Sequence, residues 1–143
     1  MTYSKDFEFI DHIADLEFIS YGKTLNECFR NAARALWGSI VNPDSVDVTL
    51  MQKIEIKSDT LEALLHDFLS ESLFIFETDG IVFKNFNVSI KKDKNYTLFA
   101  NLHGEKFNPE KHIIGADVKA VTYHKMIIKK EKGTWSARVI CDI

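Results

Sequence analysis

Residues 7–21 read FEFIDHIADLEFISY, in which two short apolar runs flank a charged turn. The runs, from Phe7 to Ile10 and from Leu16 to Tyr21, predict two strands. The turn from Asp11 to Asp15 carries two aspartates and a histidine. Because burying an unpaired carboxylate is costly, this turn is either a solvated connection or part of a site. The local pattern alone favours the solvated turn.

Length and composition predict one soluble domain. The chain has 143 residues, of which 45% are hydrophobic and 27% are charged, and its 11 phenylalanines predict a phenylalanine-rich core. A chain of this length buries roughly two-thirds of its unfolded surface. The formal net charge is −3. This charge argues against direct, phosphate-driven binding of nucleic acid, because such binding needs a strong basic field.

The cysteines and the apolar runs bear on the compartment. Cys28 and Cys141 form neither a CxxC pair nor a zinc-ligand spacing, so we expect two reduced thiols in a cytosolic protein. The first residues lack the apolar region of a signal peptide. No run reaches the ~18 apolar residues of a membrane span. We therefore expect a cytoplasmic protein without membrane contact.

Two helices are predicted from apolar stripes and capping residues. The first opens at Thr24, has Glu27 at capping-box spacing and is ended by Gly38 and Asn42-Pro43. Cys28 lies on its buried stripe, which predicts a core thiol. The second helix is capped by Asp59 and closes at Asp79-Gly80.

The remaining chain predicts strands joined by short turns. The strands are Val48–Lys57, Ile81–Ile90, Tyr96–Glu105, Asp117–Lys130 and Thr134–Ile143. Short turns favour antiparallel pairing. Two helices cannot cover both faces of so large a sheet. We therefore expect an α+β fold, a two-layer sandwich in which two amphipathic helices pack on one face of a mixed, largely antiparallel sheet.

The C-terminus is unusual because the last strand stays apolar to the end of the sequence. Asp142 and the terminal carboxyl of Ile143 would repel one another unless a cation joins them. With Asp15 alongside, three hard oxygen donors converge, which suits Ca²⁺, Mg²⁺ or Mn²⁺. Spacing alone does not show that Asp15 meets Asp142.

Catalytic motifs are missing from the sequence. It contains no GxGxxG or Walker loop, no GxSxG elbow and no HExxH. The five histidines are scattered. His124 lies on an alternating strand, where a structural or surface role is favoured over catalysis.

Six segments, in the same order and nearly end to end, resemble the archease family. They are Asp11-His12-Ile13-Ala14-Asp15, the helix from Thr24 to Trp37, Leu61 to Glu71, Gly104-Glu105, Val118 to His124 and Asp142-Ile143. The last two segments together with the first are quite specific. The resemblance implies a single archease-like domain over residues 1–143.

The resemblance also implies a function and a site. The function is that of a non-catalytic activator of an RtcB-type tRNA ligase, promoting its guanylylation and multiple turnover in tRNA splicing and RNA repair. The implied metal ligands are Asp15, Asp142 and Ile143, the last through its carboxyl group. Calcium is the expected ion, with magnesium or manganese as alternatives.

Three further residues are candidates for supporting this site or contacting the partner, namely His12, Lys119 and His124. The sequence departs from the family's His-Thr-Ala-Asp motif at Ile13, which cannot donate a hydroxyl hydrogen bond. The departure leaves the ligand residues intact.

Three functions stay open on the sequence. The first is the ligase activator, whose partner is the ligase and which meets nucleic acid only indirectly through it. The second is a general chaperone or adaptor that uses exposed phenylalanines. The third is a small metal-dependent phosphoester hydrolase using Asp15 and Asp142 with His12 or His124. The oligomeric state is left open.

Overall fold

A computed structural model of the protein describes residues 5–10 and 15–143. The helices are α1 (Leu25–Ile40) and α2 (Leu61–Asp79). The strands are β1 (Phe7–Ile10), β2 (Asp15–Gly22), β3 (Leu50–Ser58), β4 (Ile81–Lys92), β5 (Tyr96–Lys106), β6 (Ala120–Val121), β7 (Ile127–Glu131) and β8 (Thr134–Asp142). A short 3₁₀ turn, Pro43–Ser45, follows α1.

The described strands form two sheets. The first has the order β1-β2-β8-β6, with β7 also paired to β8, and the second has the order β3-β5-β4. Every strand pair is antiparallel. The predicted α+β sandwich with two helices is confirmed. The strands divide into two sheets where the sequence led us to expect one.

Helix α1 packs against both sheets, through β2 on one side and β4 on the other. Thr24 caps it as predicted, its hydroxyl accepting a hydrogen bond of 3.1 Å from the backbone N–H of Glu27. The helix stops at Ile40, between Gly38 and Asn42-Pro43, the two signals that we expected to end it. Cys28 is fully buried, as predicted, and burial raises the pKa of its thiol to about 11.

Helix α2 begins one residue later than predicted. Its cap is Thr60 and not Asp59, because the Thr60 hydroxyl accepts from the backbone N–H of Ala63. It ends at Gly80, which adopts a left-handed conformation with φ of 66°. The indole of Trp37 on α1 donates a 2.9 Å hydrogen bond to Ser72. No helix of the described residues is both long and apolar enough to cross a membrane.

The long strand predicted over Asp117–Lys130 is wrong. The chain forms β6 and β7 instead, separated by a turn in which Met126 N–H bonds to Tyr123 O at 3.1 Å. Both strands pair with β8, but their registers differ. Val121 lies opposite Cys141 and Ile127 opposite Arg138, so six steps along the chain match only three along β8. The turn takes up the extra residues.

Candidate functional site

The two predicted aspartate ligands lie directly opposite one another. Asp15 is the first residue of β2 and Asp142 the last of β8, and the strand register pairs them. Residues opposite one another in an antiparallel pair project to the same face, with Cβ atoms about 4.5–5.5 Å apart. The register therefore places both carboxylates on one face, at one end of the first sheet.

The C-terminal end of β8 is held from both sides. On the side away from β2, Asp142 lies opposite Ala120 of β6. The backbone N–H of Lys119 donates to the carbonyl of Asp142 at 2.8 Å. Thr122 bonds to the carbonyl of Ile140 through both its N–H and its hydroxyl. The strand is thus paired almost to the last residue, Ile143, which is 43% exposed.

Like charges directly opposite one another destabilise a sheet. Neither the Asp15 nor the Asp142 side chain forms an ion pair or hydrogen bond with any other described residue. Burial, and secondly the negative charge of Asp142, raise the pKa of the Cys141 thiol to about 12. The charge of Asp142 thus acts on the neighbouring thiol, and no basic side chain of the described residues is paired with it.

The donor set fits a hard divalent cation. Asp15 and Asp142 bring carboxylate oxygens to one face, and Ile143 carries the terminal carboxyl one residue beyond. Oxygen donors of this kind are those that calcium and magnesium prefer. Among residues 5–10 and 15–143, no group of three or more His, Cys, Asp or Glu residues is placed to hold a metal. The third donor implied by the family resemblance, the terminal carboxyl of Ile143, does not belong to these side-chain types.

The other candidate residues are placed differently. His12 and Ile13 lie outside the described residues. Lys119 is brought to Asp142 by its backbone, and its side chain is exposed. His124 lies in the exposed turn between β6 and β7, where its N–H bonds to the Thr122 hydroxyl at 3.3 Å. Among the described residues, His124 forms no hydrogen bond or ion pair with either aspartate.

An ion pair with a buried carboxylate, next to the aspartates, was missed by the sequence analysis. Glu17 is two residues from Asp15 on the same face of β2, and its side chain is fully buried. Its carboxylate accepts a 2.5 Å hydrogen bond from Nε of Arg138 and forms an ion pair with the same guanidinium. The signal in the sequence was an acidic residue inside an apolar strand.

His66 is a second feature that the sequence analysis missed. Its Nε2 lies 3.0 Å from the carbonyl oxygen of Val121, and its Nδ1 lies 3.0 Å from a carboxylate oxygen of Asp67. The ring also stacks on Tyr123, with centroids 4.2 Å apart. His66 thus ties the segment after β6 to α2.

A further cluster of charges surrounds Glu105, on the second sheet. Its carboxylate accepts hydrogen bonds from Lys111, from the backbone N–H of Asp47 and from His112 Nε2. The hydrogen bond from Lys111, followed by that from Asp47, lowers the pKa of Glu105 to about 2. His112 Nδ1 accepts from the N–H of Asn108, which makes Nε2 the donor to Glu105. This network holds the loop that follows β5, through Lys111 and His112, against the end of β5.

A protein-family model matches residues 7–143, and its description is Archease protein family. The chain belongs to the archease family. The archease of Pyrococcus abyssi is 42% identical to it over 141 residues, covering 97% of this chain and 99% of that protein. The archease of Methanosarcina mazei is 39% identical over 141 residues, covering 97% of each.

Solved structures of the family share this fold. The solution structure of protein 1598 from Methanobacterium thermoautotrophicum is 40% identical, with a TM-score of 0.87 over 96% of this chain and 99% of that one. A crystal structure from Thermotoga maritima, named an archease and possible chaperone, is 17% identical with a TM-score of 0.63 over the full length of both chains. At that identity the second likeness concerns the fold alone.

Proposed function

We propose that this chain is a non-catalytic, metal-binding activator of an RtcB-type RNA ligase. It promotes guanylylation of the ligase and its multiple turnover in tRNA splicing and RNA repair. Membership of the archease family supports the proposal. The observation that carries it is the pairing of Asp15 with Asp142 at the end of the first sheet.

The proposed site consists of Asp15, Asp142 and the terminal carboxyl of Ile143. Calcium is the expected ion, with magnesium or manganese as alternatives. When bound, such an ion offsets the repulsion between the carboxylates and offers positive charge to phosphate groups. Pairing of β8 with both neighbours keeps these donors together at the surface.

The proposal assigns contact with the ligase to the same end of the sheet. Lys119 and His124 are exposed there or in the adjoining turn, where they are available to a partner. The ligase holds the RNA, so the activation itself needs no direct contact between this chain and nucleic acid. A cytoplasmic location is part of the proposal and agrees with two buried cysteines that are not joined in a disulfide.

A multiple-turnover ligation assay tests the proposal. The cognate ligase, GTP, a divalent metal and RNA with a 2′,3′-cyclic phosphate end are combined with and without this chain. We expect the wild type to raise turnover, and Asp15→Asn and a deletion of residues 142–143 to abolish the increase. Asp93→Asn, in the exposed hairpin between β4 and β5, is the matched control and should activate normally.

Each result of that assay decides a separate part of the proposal. If the wild type leaves turnover unchanged, the activator function is wrong. If the wild type activates but Asp15→Asn and the deletion activate equally well, the assigned site is wrong while the function stands. Circular dichroism of each variant shows whether a loss of activation reflects a loss of fold.

A general chaperone is the second candidate function. Large apolar side chains are exposed on separate surfaces, including Phe74 at 56% and Phe99 at 40%. The Thermotoga maritima protein of the same fold is named a possible chaperone. This function predicts that the chain suppresses aggregation of unrelated unfolded proteins, and that a chelator does not change the effect. The placement of His124 adds no support to the hydrolase alternative.

A further inference from the structure

One face of the second sheet is open to solvent. In β3, β4 and β5 the exposed positions alternate with positions that face the core. The strand registers align the exposed residues in rows across the three strands. From one end, the rows are Met51–His103–Asn85, Lys53–Asn101–Asn87, Glu55–Phe99–Ser89 and Lys57–Thr97–Lys91.

Phe99 is an aromatic platform near the middle of this face. It lies on the central strand, β5, and is 40% exposed. The ammonium of Lys91 is 5.8 Å from its ring centroid, a cation–π distance. The amide of Asn101 and the ammonium of Lys53 line the same shallow depression of about 360 Å³. An exposed aromatic ring among polar and basic groups suits stacking of a base.

A groove of about 500 Å³ adjoins this platform, and Asn87 lines both depressions. Two guanidinium groups from α1, those of Arg30 and Arg34, line it together with His103. The residues of the described chain that line it include no aspartate or glutamate. His103 and Phe99 are four residues apart on β5, so the groove and the platform lie about 14 Å from one another along the strand.

Arg30 is the cation available in this groove. Arg34 is paired with Asp6 at 2.5 Å, whereas no described residue forms a hydrogen bond or ion pair with the side chain of Arg30. The Nε of Arg30 is buried and without a hydrogen-bond partner among the described residues. Arg30 lines the groove, and a guanidinium binds a phosphate through charge-assisted hydrogen bonds.

From this geometry we infer that the open face binds single-stranded RNA directly. A phosphate of the strand binds at Arg30, and a base stacks on Phe99. Amide side chains at Asn85, Asn87 and Asn101 project between these points and provide donors and acceptors for ribose hydroxyls. The 2′-hydroxyl is the group by which proteins distinguish RNA from DNA.

The inference departs from the expectation that nucleic acid is met only through a ligase. That expectation rests on the net charge of −3, which averages over the whole surface. Within the four rows named above, the lysines Lys53, Lys57 and Lys91 are opposed by one carboxylate, that of Glu55, and Arg30 adds a positive charge at the edge of the face. The inference is independent of the proposed function, because binding is measured without a ligase.

Fluorescence anisotropy of a short labelled RNA tests the inference on the whole chain. At low salt we expect a dissociation constant in the range of about 1 to 100 µM, typical of contacts without sequence specificity. The plot of log affinity against log salt should have a slope of about −0.7, as expected for the one phosphate contact with a single strand at Arg30. Single-stranded DNA of the same sequence should bind more weakly, and duplex RNA should not bind.

Two pairs of variants separate the platform from the groove. Phe99→Ala should weaken binding by at least about fivefold, through lost stacking. Phe74→Ala removes a phenylalanine that is 56% exposed on α2 and should leave affinity unchanged. Arg30→Gln should weaken binding and reduce the salt slope by about 0.7, while Arg30→Lys should keep the slope. Lys130→Gln, on β7, is the control for loss of one charge.

The inference is overturned if the wild type does not bind the RNA at low salt. It is also overturned if Phe99→Ala and Phe74→Ala bind equally well, or if Arg30→Gln and Lys130→Gln have the same salt slope. Equal binding of RNA and DNA would refute the role of the ribose hydroxyls. Thermal melting confirms that each variant is folded before its affinity is compared.

Discussion

Replacing one carboxylate of the Asp15–Asp142 pair should have opposite effects on stability with and without calcium. Asp142→Asn removes a negative charge and keeps the shape of the side chain. The backbone carbonyl that accepts from Lys119 is unaffected. In a chelator the variant loses a repulsion and should be more stable than the wild type. In calcium it loses a ligand and should be less stable.

The size of the effect follows from the strand register. Two unit charges about 5 Å apart repel by about 0.8 kcal/mol in water and about 3 kcal/mol at an effective dielectric of 20. Asp142 is exposed and Asp15 is partly buried. In a chelator we therefore expect Asp142→Asn to raise the free energy of unfolding by about 1 kcal/mol, which corresponds to roughly 4 °C in melting temperature. When the free calcium concentration is about a hundred times Kd, the free energy of unfolding of the wild type should rise by about 2.7 kcal/mol.

Thermal or urea unfolding in chelator and in calcium measures both effects. The stabilities of wild type and Asp142→Asn should cross between the two conditions. Asp93→Asn is the matched control, whose stability should follow that of the wild type in both. The reasoning is refuted if Asp142→Asn is the less stable protein in chelator, or if calcium does not stabilise the wild type.

Three further predictions concern other residues. The pKa of Glu105 is lowered to about 2, so its contribution to stability is complete above its ordinary value of about 4.5 and is lost as the pH falls towards 2. The free energy of unfolding of Glu105→Gln, measured as the pH is lowered from about 4.5 to 2, should therefore fall less steeply than that of the wild type. The raised pKa values of Cys28 and Cys141, about 11 and about 12, predict that iodoacetamide at about pH 8 alkylates the unfolded chain and spares the native one. His66→Phe keeps a ring for stacking but removes the bond to Val121, and hydrogen exchange should be faster at residues 119–124 with little change in α1; unchanged exchange there would contradict the role of His66.

The helices were predictable because their signals are local. Thr24 precedes the apolar stripe of α1 and caps the start of that helix, as expected. Gly80 follows the stripe of α2 and caps the end of that helix, as expected. Asp59 failed as a cap because Thr60, next to it, offers an equivalent oxygen. The division into two sheets was not predicted, because alternation along a strand does not specify its partner. Alternation of apolar and polar residues also continues through the turn between β6 and β7, and for this reason the sequence predicted one long strand there.

The assembly of the candidate site could not be predicted from the spacing of its residues. Spacing could not bring Asp15 to Asp142, and the choice of these ligands rested on the resemblance to a family. The register of β2 and β8 now places them opposite one another. Glu17 and His66 were missed because their partners, Arg138 and Val121, are distant in sequence. A single charged residue in an apolar strand does not indicate which partner it meets.

The rate of guanylylation of the ligase tests the central claim most directly. Labelled GTP is mixed with the cognate ligase, and covalent GMP on the ligase is followed over time with substoichiometric amounts of this chain. We predict that the wild type accelerates guanylylation, that the chain lacking residues 142–143 does not, and that Asp93→Asn behaves as the wild type. Equal rates with and without the wild-type chain would contradict the account.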